Sequence, residues 1–173
     1  MTQKNAYMTR ISAREIAVQI LFSHSFLQTS TEELLTEWLD ASFYERMAGE
    51  DALYERPPGK DAAGYIERLV TGVTAHNAQL DETIRKYAVG WELNRIPRTT
   101  LHVLQVAMFE VLFMPDVPPA AAINAAVDIS KRYDSPEVVS FVNGILGSFM
   151  RTEVRTETAE ADTAAEQPSG AMS

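Results

Sequence analysis

Leu101-His-Val-Leu-Gln-Val-Ala-Met-Phe109 decides the fold class of this chain. Its partial alternation of apolar and polar side chains suits a buried β-strand, in which every second residue faces the core. The apolar run, however, continues through Glu110-Val-Leu-Phe113, with Pro97 ahead of it and Pro115 behind. Strands usually run about four to eight residues, so a longer segment bounded by prolines is better read as a core helix. With this stretch helical, no other segment makes a convincing strand.

Toward the C-terminus, Pro118-Pro119 opens the next helix, because proline at a first helical position forfeits no hydrogen bond. Ile123, Ala126, Val127 and Ser130 then face inward, and Lys131-Arg132 suit the negative helix end. Asp134-Ser135-Pro136 caps and starts a last helix with Val138, Phe141, Val142, Ile145 and Phe149 on one face. Toward the N-terminus, Tyr65, Ile66, Leu69, Val70 and Val73, then Leu80, Ile84 and Tyr87, keep helical spacing. Residues 62–88 therefore form one long helix or two joined near Asn77, ended by Gly90. Ser12-Ala-Arg-Glu15 reads as a capping box opening a helix that carries Ile16, Ile20, Leu21, His24 and Leu27. A further helix starts at Thr31 with Glu32 and Glu33, and its stripe is Leu34, Leu35, Trp38 and Leu39. Gly49, Pro57, Pro58 and Gly59 make Met47 to Asp61 a loop or a weak helix. The prediction is an all-α domain of six to seven helices spanning 11–152. Residues 1–10 are expected to be flexible and slightly basic. The acidic segment 153–173, with almost no large apolar residue, is expected to be a disordered tail.

A chain of 173 residues, 46% hydrophobic and 23% charged, makes one ordinary globular domain. It has no cysteine, which excludes disulfides, thiolate metal sites and cysteine nucleophiles. No apolar run approaches about 18 residues, and MTQKNAYMTR lacks the apolar centre of a signal peptide. A cytoplasmic protein without a membrane partner is expected. The net charge of −9 argues against nucleic acid until it is located. Residues 31–61 hold nine acids against three bases, and 153–173 hold five against one. The rest is nearly neutral, leaving room for a local cationic face.

His24, His76 and His102 stand in separate segments without metal-ligand spacing, so no metal site is predicted. The eight glycines form neither GxGxxG nor a phosphate loop, and no GxSxG elbow occurs. The sequence therefore predicts no catalytic residue, no cofactor and no enzyme.

Two further motifs are more specific. One is Val117-Pro-Pro-Ala-Ala-Ala-Ile-Asn-Ala-Ala-Val-Asp-Ile-Ser-Lys-Arg-Tyr133, and the other is Ser140-Phe-Val-Asn-Gly-Ile-Leu146. With Ser12-Ala-Arg-Glu-Ile-Ala-Val-Gln-Ile-Leu-Phe22 and Val103-Leu-Gln-Val-Ala-Met-Phe-Glu-Val-Leu112, they resemble in order and spacing the NusB family of transcription antitermination factors. The resemblance runs from about Ile11 to Met150 and is poorest over 41–61. It implies two stacked helical subdomains and a role in holding boxA RNA of nascent ribosomal RNA transcripts. The implied partners are the ribosomal protein NusE and the RNA polymerase antitermination complex, with a homodimer as a further possibility.

The family's arginine-rich N-terminus maps onto Lys4, Arg10 and Arg14 only. Tyr87 and Phe141 match its aromatic positions near RNA, and Asn143 is the polar member of Phe-Val-Asn-Gly. Single-stranded RNA is held by bases stacked on aromatics and by cations along phosphates, which suits these types. Each also has a structural reading: Phe141 as core, Asn143-Gly144 as a close helix approach, Arg14 as a solvated charge, Tyr87 as the end of an apolar row. On the partner side the resemblance implicates Phe22, Thr100, Leu101 and Gln105. Thr100-Leu101 replaces a common acidic-basic pair, and Gln105 a common arginine. Two functions stay open: an RNA-binding antitermination factor, or a helical protein-interaction module without useful RNA affinity.

Overall fold

The structure is a computed structural model that describes residues 8–165, with side chains through Glu153. It holds eight α-helices: α1 Arg10–Phe26, α2 Thr31–Trp38, α3 Ala41–Met47, α4 Lys60–Ala75, α5 Asn77–Tyr87, α6 Arg98–Phe113, α7 Pro119–Tyr133 and α8 Pro136–Ala165. Two 3₁₀ turns, Ala52–Tyr54 and Leu93–Arg95, join them. No strand occurs among the described residues, and no helix there is long and apolar enough to cross a membrane.

The decisive stretch is α6, and it is the centre of the molecule. It buries Val103, Leu104, Val106, Ala107, Met108 and Phe109. It packs on α1 and α4 of a first subdomain and on α5, α7 and α8 of a second. Helices α4 and α6 meet closely because Gly72 has no side chain: a Cβ there would lie 2.0 Å from the Phe109 ring.

Several boundaries differ from the sequence reading for identifiable reasons. The cap of α1 is Thr9, whose hydroxyl accepts from the Ser12 amide at 3.3 Å. Ser12 therefore lies inside the first turn, and Glu15 is not the second half of a capping box. It is buried and faces α7, where it accepts from the Tyr133 hydroxyl at 2.5 Å and pairs with Arg132 at 3.2 Å. The reciprocal box belongs to α2, where Ser30 and Glu33 satisfy each other's backbone amides. Helix α3 is the extra element. Asp40 caps it, and Phe43 and Tyr44 bury themselves among Trp38 and Tyr54, an aromatic cluster that a seven-residue helix cannot announce by period. The break near Asn77 falls at His76, whose ring sits 4.1 Å from that of Phe113.

Gly90 adopts φ 82°, the left-handed region that favours glycine, and closes a turn in which the Trp91 amide donates to Ala88. Helix α8 runs to Ala165, into the stretch where the sequence predicts disorder. Alanines and glutamates there favour helix without requiring a core. Residues 1–7 and 166–173 lie outside the described residues.

Candidate nucleic-acid interface

Lys4 lies outside the described residues. Arg10 begins α1 on the surface, its guanidinium 3.9 Å from the Tyr65 ring centre. One turn on, Arg14 is only 7% exposed. Its Nε and Nη2 donate to both carboxylate oxygens of Glu110 at 2.8–3.1 Å, and the Tyr65 hydroxyl donates to the same carboxylate. Burial opposes the Arg14 charge, and Glu110 outweighs it, so the guanidinium's pKa rises above its ordinary value. Burial, reinforced by Glu110, pushes that of the Tyr65 hydroxyl up as well. The arrangement binds α1, α4 and α6 together. It directs Arg14 inward, as a core ion pair and not the solvated charge of the structural reading.

The aromatic positions gather on the seam of α5 and α8. Tyr87 is half-buried at the end of α5, edge-on to Phe149, and its hydroxyl donates to Glu153 at 2.8 Å. Lys86 reaches the same carboxylate at 3.5 Å. Phe141 is half-buried two turns earlier on α8, about 12 Å along the axis at 1.5 Å per residue. Its ring packs at a 43° tilt, 4.5 Å from that of Trp91, a residue for which the sequence gives no signal. An isolated aromatic next to a helix-ending glycine has no period to reveal it. Asn143 and Gly144 are exposed, and a Cβ on Gly144 would meet nothing within 4 Å. No helix approaches there, which removes the packing explanation for that glycine. The structure thus brings Tyr87 and Phe141 to one seam, sets exposed Asn143 about 200° round α8 from Phe141, and leaves Arg10 and Arg14 on α1.

The four partner positions separate. Thr100 is fully buried, its hydroxyl donating to Asp134 at 3.0 Å. Gln105 is also buried, its amide donating to Asn77 at 2.9 Å and Asp81 at 2.7 Å. These donations fix the Gln105 oxygen as acceptor, so the His102 Nδ1–H donates to it at 2.8 Å. Burial pushes the His102 pKa down, helped by the charges of Arg98 and His24 and opposed by Gln105 and Asp81. Leu101 and Gln105 line a groove of about 300 Å³ with Leu21, His24, Arg98 and His102. Beside it Arg98 lies over the ring of Phe26, which is 62% exposed and 4.9 Å from Phe22. Leu101 and the Phe22–Phe26 pair can meet a partner directly, Gln105 shapes the groove from beneath, and Thr100 points away to Asp134.

Among the described residues no group of histidines and carboxylates could hold a metal ion. What the molecule offers is surface: an aromatic seam and a shallow groove on a two-part helical scaffold. These features define an all-helical protein with two candidate recognition surfaces. The chain belongs to the NusB family, whose model matches residues 11–151. The transcription antitermination protein NusB of Desulfovibrio desulfuricans is 37% identical over 145 residues, covering 83% of this chain and 84% of that protein. The NusB of Thermus thermophilus is 33% identical over 156 residues, covering 88% and 99%. Among solved structures, T. maritima NusB superposes with a TM-score of 0.72 at 28% identity, covering 89% of this chain and 99% of that one. The antitermination factors NusB and NusE in complex with dsRNA include a chain of the same fold, with TM-score 0.63 and 23% identity, covering 82% and 96%.

Proposed function

We propose that this chain is a transcription antitermination factor that holds boxA-type RNA of nascent ribosomal RNA transcripts, together with the ribosomal protein NusE. The observation that carries this reading is the α5–α8 seam. There Tyr87 and Phe141 line the seam, Gly144 leaves the helix surface beside Phe141 open to a ligand backbone, and Asn143 is exposed further round α8. Aromatics and a free carboxamide are the groups that hold unpaired bases. The Phe22–Phe26 ring pair and Leu101 mark the surface for NusE.

One observation favours the second reading, an interaction module acting through protein contacts alone. Arg14 is engaged with Glu110, so the front of the chain has one cation fewer for phosphate. With so few cations, RNA affinity of the isolated chain is weak and NusE supplies much of it. Binding of boxA RNA and of a scrambled RNA, with and without NusE at a stated salt concentration, separates the two. The proposal requires selective binding to boxA that tightens markedly with NusE. NusE binding without any preference for boxA would establish the interaction module instead.

A further inference from the structure

We propose that Trp91 is a stacking platform for one unpaired base of the bound RNA, an inference that rests on the RNA-binding reading above. The turn Ala88–Trp91 is built to present this ring: Gly90 takes the left-handed φ, and Val89 at its tip is 85% exposed. Trp91 is 43% exposed although its ring stands 4.5 Å from Phe141. Phe141 meets it at a tilt of 43°, so the two rings support one another while much of Trp91 stays open to solvent. An indole held in this way loses little freedom when a base covers it, and base–aromatic stacking tolerates any base because each has a π-face.

The occupant's charge is also indicated. Helix α5 ends just before this turn with Arg85 and Lys86, both more than half exposed. Their partners, Glu82 at 3.0 Å and Glu153 at 3.5 Å, form surface ion pairs of the kind that contribute little and exchange readily for a phosphate. Gly144 lies one turn along α8 from Phe141 with open space over it, where a sugar–phosphate backbone can lie against the helix. Aromatic face, exchangeable cations and a bare helix surface together fit a nucleotide chain.

The test uses the full chain carrying 5-fluorotryptophan, with Trp38 as internal control because it is stacked on Phe43 in the first subdomain. Addition of boxA RNA to the complex with NusE should shift the Trp91 fluorine signal and leave that of Trp38 in place. Trp91→Ala should weaken RNA binding about 5- to 150-fold, the range for one stacked base, and Trp91→Phe should restore most of it. RNA abasic at the stacked nucleotide should bind wild type as weakly as the intact RNA binds Trp91→Ala. If RNA binds tightly while the Trp91 signal and the Trp91→Ala affinity stay unchanged, the platform is overturned and the RNA-binding reading stands. A Trp91 shift on adding NusE alone would assign the ring to the protein partner and likewise overturn it. Absence of any boxA binding by the wild-type complex would remove both.

Discussion

Replacing Arg14 with Met would remove the cation that neutralises Glu110, whose side chain is fully buried. Breaking one side of a buried pair typically costs about 3–5 kcal/mol, because the remaining charge has no solvent to turn to. Urea unfolding of Arg14→Met should show a loss of that size, and any drop in RNA binding should track the unfolded fraction. Arg10→Ala, at an exposed first turn, should leave stability nearly unchanged while lowering the salt dependence of RNA binding by about 0.7 in log–log slope if Arg10 touches one phosphate. The sequence could not distinguish these two arginines. Both lie near a helix start, and only the distant Glu110, 96 residues on, makes one of them core. His102 is the other residue with a measurable signature. Its folded pKa lies below the ordinary 6.5, so between those two values the unfolded chain binds more protons than the folded one. Stability is therefore fully present above about pH 6.5 and falls as the pH drops through that window. A thermal-melt series across pH should show the slope in wild type and a smaller one in His102→Gln.

At the scale of elements, two helical glycines with opposite surroundings make a paired experiment. Gly72→Ala would drive a methyl group into Phe109 and separate α4 from α6, an overpacking that commonly costs about 1–3 kcal/mol. Gly144→Ala meets nothing, so the helix preference for alanine should raise stability by about 0.5–1 kcal/mol. Melting temperatures should move in opposite directions. In the RNA-binding reading, Gly144→Ala also weakens RNA binding as it stabilises the fold, a split that a packing glycine cannot produce. Gly72 and Gly144 look alike in sequence, since a glycine in a helical stretch carries no record of what faces it. The elements themselves were legible where they are long and periodic, as in α6, α7 and the α4–α5 break. Helix α3 was not, because its aromatic cluster comes from three separate segments. Ser12-Ala-Arg-Glu15 misleads because a capping box is a pattern of types, and Thr9, three residues ahead of Ser12, supplies the cap and leaves Ser12 inside the first turn.

At the scale of the whole molecule, the acidity lies in two places that the fold treats differently. The described side chains of α8 end with Glu153, which accepts from Tyr87 and pairs with Lys86. Deleting 154–173 retains this contact and the buried Phe149, so the melting temperature should hold. RNA binding should strengthen slightly at low salt through reduced repulsion of phosphate. A clear fall in melting temperature would show that the tail docks. The other acidic segment, 31–61, is anchored by buried Leu34, Leu35, Phe43, Tyr44 and Leu53, and Arg132 of α7 adds an ion pair at its surface. Arg132 donates to Asp51 at 2.9 Å and pairs with Glu15 at 3.2 Å, and neighbouring Tyr133 reaches Glu15 as well. These contacts span 81 and 118 residues of chain and lie where α7 packs against α1. A three-residue 3₁₀ turn whose cap Asp51 is held by an exposed ion pair opens at less cost than a central helix. Backbone amides around Ala52–Tyr54 should therefore exchange with solvent long before those of α6.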